Sequence, residues 1–131
     1  DLMRLAVAKA REGVAAGQTP FGCAVAQADR VVAVAHNTVL ATTDITAHAE
    51  INAVRQACRE TGHIHLAGSV VAATCEPCPM CLAAIYWARV DRVFFAATRQ
   101  DAADAGFDDA AATELAALLE AFPDFRLPPV E

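Results

Sequence analysis

Apolar residues recur at helical spacing near the start of the chain. Leu2, Leu5, Ala6, Ala10 and Val14 share one face, which predicts a helix over Leu2–Ala16 stopped by Gly17. Phe21–Gln27 and Val31–His36 read instead as strands, joined by a short turn containing Asp29. The second of these is apolar on both faces, which predicts a central, doubly covered strand. Ala41–Thr46 is a threonine-rich loop, and a helix over Ala47–Thr61 follows, with Thr46 as N-cap and Gly62 as stop. Ser69–Thr74 is a short β-rich run, Pro77–Ala88 a helix with proline in its tolerant first turn, and Val90–Ala97 another strand. A late amphipathic helix, Ala110–Phe122, uses Ala111, Leu115, Leu118, Leu119 and Phe122 and ends at Pro123. A short segment, Phe125–Leu127, precedes Pro128-Pro129.

Helix, hairpin, helix, strand, helix, strand, helix is the order of a three-layer α/β/α sandwich around one mixed sheet. The hairpin supplies an antiparallel pair and the helix-linked strands supply parallel pairs. The pattern shows no repeats, low-complexity tracts or linkers, and 131 residues suit one domain over 1–131. The chain is 56% hydrophobic, enough for a sizeable core, although alanine supplies much of that share. So much apolar surface on a small domain hints at burial between subunits. No apolar run approaches the roughly 20 residues of a membrane span, so no membrane partner is expected. The opening Asp1-Leu2-Met3-Arg4 does not read as a secretory leader.

Charge narrows the partners. The net charge is −6 with 10 Lys+Arg, of which Lys9 is the only lysine. A chain that grips many phosphates needs a basic face, so nucleic acid is disfavoured as a partner. Five cysteines are an odd number and too sparse for a disulfide scaffold. Two of them form a Cys-x-x-Cys, which points to metal or redox chemistry in a reducing compartment, the cytoplasm.

The chemistry concentrates in His48-Ala49-Glu50 and, thirty positions beyond His48, in Pro77-Cys78-Pro79-Met80-Cys81. Cys78 and Cys81 stand three apart at a helix start, where unpaired N–H groups and the dipole favour thiolates. His48 also lies near a predicted helix start. Two such turns on one sheet edge can bring an imidazole and two thiolates together as a three-ligand zinc site with a fourth position open for water. Two thiolates cancel the ion's charge, so its water needs a base, and Glu50 is placed to shuttle the proton. The pairing of H-x-E with P-C-x-x-C matches the signature of zinc-dependent nucleobase deaminases. Two other readings stay open. A redox Cys-x-x-Cys leaves His48 and Glu50 unexplained, and a closed structural zinc site would recruit Cys75 as a further thiolate.

Thr46-Ala47-His48-Ala49-Glu50-Ile51-Asn52-Ala53 with Cys75-Glu76-Pro77-Cys78-Pro79-Met80-Cys81 resembles the cytidine deaminase superfamily, along nearly the whole chain from Pro20-Phe21-Gly22 to Gly106-Phe107-Asp108-Asp109. Ala84-Ile85-Tyr86-Trp87-Ala88-Arg89 and the segment from Asp101 to Asp109 are most similar to the bacterial guanine deaminases, the latter also to plant-type guanosine deaminases. The zinc motifs are shared with tRNA adenosine deaminases and cytosine deaminases. The resemblance implies a five-stranded sheet between helices, a homodimer, and hydrolysis of guanine to xanthine and ammonia. It implies one Zn2+ per chain, held by His48, Cys78 and Cys81 and carrying a water or hydroxide that attacks C2, with Glu50 as proton shuttle. The Ala49 N–H and the Asn37 amide would bind polar edges of the ring, Phe21 and Trp87 would pack on the base, and Asp109 would hold its ring donors.

Plainer roles stand beside these. Phe21 in a strand suits the core, Trp87 near a helix end suits a subunit contact, and Asn37 after a strand suits a turn. Asp108 and Asp109 before a helix suit N-caps. His36 bonds locally, His63 and His65 are solvated, and Cys23 and Cys58 are small buried hydrophobes. Guanine deaminases carry a longer C-terminal segment over the pocket, whereas this chain stops at Pro128-Pro129-Val130-Glu131. The expected substrate range therefore extends to guanosine, cytosine and aminotriazines. Deamination of tRNA is disfavoured by charge, and a zinc-stabilised binding module has no use for Glu50.

Overall fold

The computed structural model describes residues 1–107 together with Pro129 and Val130. The expected helix Ala110–Phe122, the segment Phe125–Leu127, and Asp108 and Asp109 lie outside the described residues. Within them the chain runs α1 (Leu2–Ala15), β1 (Gly22–Gln27), β2 (Arg30–His36), α2 (Val39–Thr42), α3 (Ala49–Thr61), β3 (Ser69–Cys75), α4 (Pro79–Trp87), β4 (Arg92–Ala97) and α5 (Arg99–Asp104). The short α2 falls partly in the expected threonine-rich loop, and α5 has no counterpart in the hydrophobic pattern.

The sheet order is β2-β1-β3-β4. β1 pairs antiparallel with both β2 and β3, while β3 and β4 pair parallel. The class is the expected α/β fold with a mixed sheet, but two expectations need correcting. Four strands, not five, pair among the described residues, with one further parallel bridge from Val93 to Val130. And β2, expected at the centre, is the outermost strand here. Its two apolar faces arise because both α1 and α3 pack on it. The crossover through α3 therefore steps over β1, and β2 and β3 run parallel without touching as neighbours. The hairpin turn holds Ala28 and Asp29 at φ 51° and 61°. Two successive positive φ values match the right-handed twist of the strands they join.

Alternation along β1 sets the layers. Cys23 and Val25 join the cluster built with Ala49, Ala53 and Ala57 of α3, Val71, Ile85 and Val93. The other face of β1 meets α1, where a Cβ on Gly22 would collide with the Ala6 carbonyl and the Ala10 backbone. Glycine at 22 is thus a condition of the α1–sheet approach. Ala49, Ala53 and Ala57 recur at helical spacing and are wholly buried, so α3 lies close on the sheet with little side chain between.

Two helix starts differ from expectation. The Thr46 hydroxyl does not cap α3; it donates to Asp44 Oδ1 at 2.7 Å, and the Thr46 N–H donates to the same oxygen at 2.9 Å. His48, extended at φ −65° and ψ 156°, is the N-cap instead. Helix α4 starts at Pro79, two residues later than expected, with Cys78 as N-cap at φ −71° and ψ 168°. Proline at 79 pushes the residue before it out of the helical region and itself suits the first helical position. Gly62, at φ 74°, ends α3 as expected.

Candidate active site

Phe21, Asn37, His48, Glu50 and Cys78 gather at one sheet edge. β2, β3 and β4 run the same way, so their C-terminal ends share an edge with the start of the antiparallel β1. His48 follows β2, Cys78 follows β3, Arg99 follows β4 and Phe21 precedes β1. In open α/β sheets this edge, beyond the strand carboxyl ends, is where ligands bind.

A cavity of about 260 Å³ opens there. Its lining includes Phe21, Asn37, His48, Ala49, Glu50 and Cys78. Those six are all sequence-predicted site residues, drawn from separate segments of the chain. Asn37 is buried, and its Oδ1 accepts the Val39 N–H at 2.9 Å, which fixes the amide so that its NH2 is left as the donor. Ala49 is the first residue of α3, where helix N–H groups have no carbonyl one turn back. Phe21 meets Phe107 edge-to-face with centroids 5.2 Å apart, a packing favoured by the ring quadrupoles.

Trp87 departs from expectation. It is 68% exposed and absent from the cavity lining, and it stands against Tyr86 and the Arg89 guanidinium. It lies near the end of α4, away from the Pro79 start that the metal site uses, so within one chain it forms no wall of this cavity. Asp109 lies outside the described residues.

The metal corner is built from the two N-caps. His48 Nδ1 stands 3.6 Å from Cys78 Sγ and 3.6 Å from Cys81 Sγ, and the three donor atoms lie within 4.8 Å of one another. A tetrahedral zinc with ordinary Zn–N and Zn–S bonds places its nitrogen and sulfur ligands about 3.6 Å apart, so the spacing fits the ion. Among the described residues no fourth donor joins this group. Cys75, the candidate for a closed site, sits at the end of β3 with its thiol 3.7 Å from the Thr98 carbonyl. Three such ligands would leave a bound zinc one coordination position for water, as in catalytic zinc sites.

Electrostatics agree with the donor set. The Cys78 thiol is held far below its ordinary value, by hydrogen bonding first with Cys81 and then, against the effect of burial, with His48. Cys81 is driven far upward by its bond to Cys78, by burial and by the nearby Glu50 carboxylate. One thiolate is thus accommodated by the protein alone and the second is opposed by like charge, a pair that a divalent cation completes. Hydrogen bonding to Cys78 raises the His48 pKa. Glu50, 8% exposed, has its carboxyl pushed up, first by burial and also by the Cys78 charge. A buried carboxyl moved toward neutrality is suited to both taking and giving a proton.

Hydrophobic periodicity missed Phe107, α5 and the Glu76–Arg99 pair that also lines the cavity. One signal for α5 was present: Thr98 and Asp101, three apart, form a reciprocal capping box. Cys23 is buried as expected, His36 Nδ1 bonds locally at 2.9 Å to the Asn37 carbonyl, and His63 and His65 are exposed.

The family model for the cytidine and deoxycytidylate deaminase zinc-binding region matches residues 1–97. With that match and the donor triangle at the strand ends, the chain belongs to the cytidine and deoxycytidylate deaminase family and takes one Zn2+ per chain, for which His48, Cys78 and Cys81 form a donor set that fits. Among individual relatives, it is 48% identical over 108 residues to the guanine deaminase of Bacillus subtilis, covering 82% of this chain and 69% of that enzyme. The X-ray structure of the guanine deaminase from Bacillus subtilis superposes with a TM-score of 0.84 at 46% identity, covering 86% of this chain and 73% of that one. The tRNA-specific adenosine deaminase of Agrobacterium fabrum is 39% identical over 95 residues, covering 72% of this chain and 62% of that protein. Among the described residues, no helix is long and apolar enough to cross a membrane.

Proposed function

We propose that the chain, acting as one domain, catalyses hydrolytic deamination of a free purine base, guanine to xanthine and ammonia. The observation that carries this reading is the convergence, on one cavity, of a three-donor zinc set and a buried carboxyl whose pKa is raised. When bound, zinc supplies the Lewis acidity that makes water nucleophilic near neutral pH. Glu50 takes the proton of the attacking water, passes it to the ring nitrogen beside C2, and delivers a proton to the departing amine. The Ala49 N–H and the Asn37 NH2 donate to acceptors on the ring edge, and Phe21 packs on its face. Asp109 accepts from the ring donors.

The relative that acts on guanine is the more similar of the two named above, at 48% against 39% identity. The net charge of −6 also weighs against a tRNA substrate. Five cysteines, none of them in a disulfide, suit a reducing compartment, the cytoplasm. A homodimer is the proposed assembly, in which exposed apolar residues such as Ile64 and Trp87, at 77% and 68%, would find cover.

Ammonia release from guanine, guanosine, cytosine, adenine and ammeline, and from an anticodon stem-loop, tests the reading on wild type and Glu50→Gln. Guanine is expected to be turned over fastest, with the variant nearly inactive. Preference for the stem-loop would replace the base with tRNA, and an equally active variant would remove the role of Glu50.

A further inference from the structure

We propose that Glu76 is a positioning residue: its carboxylate fastens the start of α5 to the metal loop and so sets where Ala102 and Phe107 stand in the cavity. The inference uses the guanine deaminase reading only for its kinetic readout.

Glu76 lies between β3 and Cys78, and its N–H donates to the Ala97 carbonyl at 2.7 Å, joining the metal loop to the end of β4. Its side chain reaches onward. Oε1 accepts the Arg99 N–H at 3.1 Å, and Oε2 pairs with Arg99 Nε at 3.6 Å. The two side chains are 30% and 20% exposed, and both line the cavity. Arg99 Nε is buried and makes no hydrogen bond, so this ion pair is the compensation for a guanidinium nitrogen removed from water.

From Arg99 the geometry passes along a short rigid piece. The Thr98–Asp101 capping box defines the start of α5, and Phe107 N–H donates to the Ala102 carbonyl at 2.8 Å just past its end. Phe107 then meets Phe21 edge-to-face. The zinc signature accounts for Cys78 and Cys81 and leaves Glu76 without a task; the tie to α5 provides one.

The zinc-loaded chain is compared with Glu76→Ala, Glu76→Gln, Arg99→Ala and the double alanine variant. Glu76→Ala and Arg99→Ala should each raise KM for guanine by about tenfold while kcat stays within about threefold, as for lost ground-state positioning. Glu76→Gln keeps an acceptor for the Arg99 N–H and should fall between Glu76→Ala and wild type. The double variant should be no worse than Glu76→Ala, because the two residues act as one unit. Zinc should stay at one per chain throughout. A readout independent of activity uses a Trp87→Phe, Phe107→Trp chain, whose single tryptophan sits on the cavity wall. Adding Glu76→Ala should red-shift its emission and increase quenching by acrylamide. Loss of zinc, or a fall in kcat at unchanged KM, would move Glu76 to the metal loop alone and overturn the proposal. Unchanged KM with unchanged emission would also overturn it. A wild-type chain inactive on guanine would defeat the deamination reading, and the emission shift would still decide the role of Glu76.

Discussion

The metal corner and the substrate wall occupy one cavity but are held by different means. In the corner, His48 and Cys78 are the N-caps of α3 and α4, and Cys81 lies one helical turn from Cys78. Their positions follow from local rules: where a helix starts, and how proline restricts the residue before it. The wall brings together Phe21, Asn37, Ala102 and Phe107, which come from before β1, after β2 and beyond β4. Long-range contacts set these positions, among them the Phe21–Phe107 ring pair and the Glu76–Arg99 tie. On the proposed reading, chemistry rests on helix starts and fit to the substrate on contacts that can be altered singly.

The largest break in this contrast should come from the corner. Cys81→Ser should lower bound zinc from one per chain to near zero, measured by elemental analysis, and abolish ammonia release. Glu50→Gln should leave zinc in place and lower kcat by about 10³-fold, within the usual range for a lost general acid–base group. Both variants probe the corner, and only the second separates metal binding from proton transfer. At the wall, Phe107→Ala should raise KM for guanine by about tenfold with zinc unchanged, in line with a lost aromatic contact. A similar loss of kcat and zinc in that variant would erase the distinction between the two regions.

The smallest effect is expected at the entry to α3. The Thr46 hydroxyl and N–H bonds hold the Asp44 carboxyl below its ordinary 3.8. A carboxylate with a lowered folded pKa adds stability that is present above 3.8 and lost as pH falls through the folded value. The difference in melting temperature between wild type and Asp44→Asn should therefore be constant from pH 5 to pH 7 and shrink below about pH 4. A difference that persists unchanged in acid would point to geometry, not charge.

Legibility in the sequence followed the same division. His48, Glu50, Cys78 and Cys81 were readable because ligand chemistry demands particular residue types at short spacings. Helix starts were read two residues early at both α3 and α4. The reasons are specific: Asp44 takes the Thr46 hydroxyl, and Pro79 holds Cys78 extended. The position of β2 was misread because burial by α1 and α3 looks the same in a hydrophobic pattern as burial at the centre of a sheet. Trp87 was placed at the base by resemblance, and spacing alone carried no information on which way the end of α4 faces. Phe107 and Glu76 were not assigned, since their roles depend on partners 86 and 23 positions away, Phe21 and Arg99.

The crossover over β1 has a consequence for how the molecule assembles. β1 meets β2 through a two-residue turn, but it meets β3 only after the intervening stretch from Arg30 to Gly68 has been spanned. Closing that long loop is the entropically slower event, so the hairpin should form early and β3 dock later. A nascent chain with only the hairpin formed would present its imidazole without either sulfur. Competence to bind the ion is then an indicator that the most distant strand pairing has been completed.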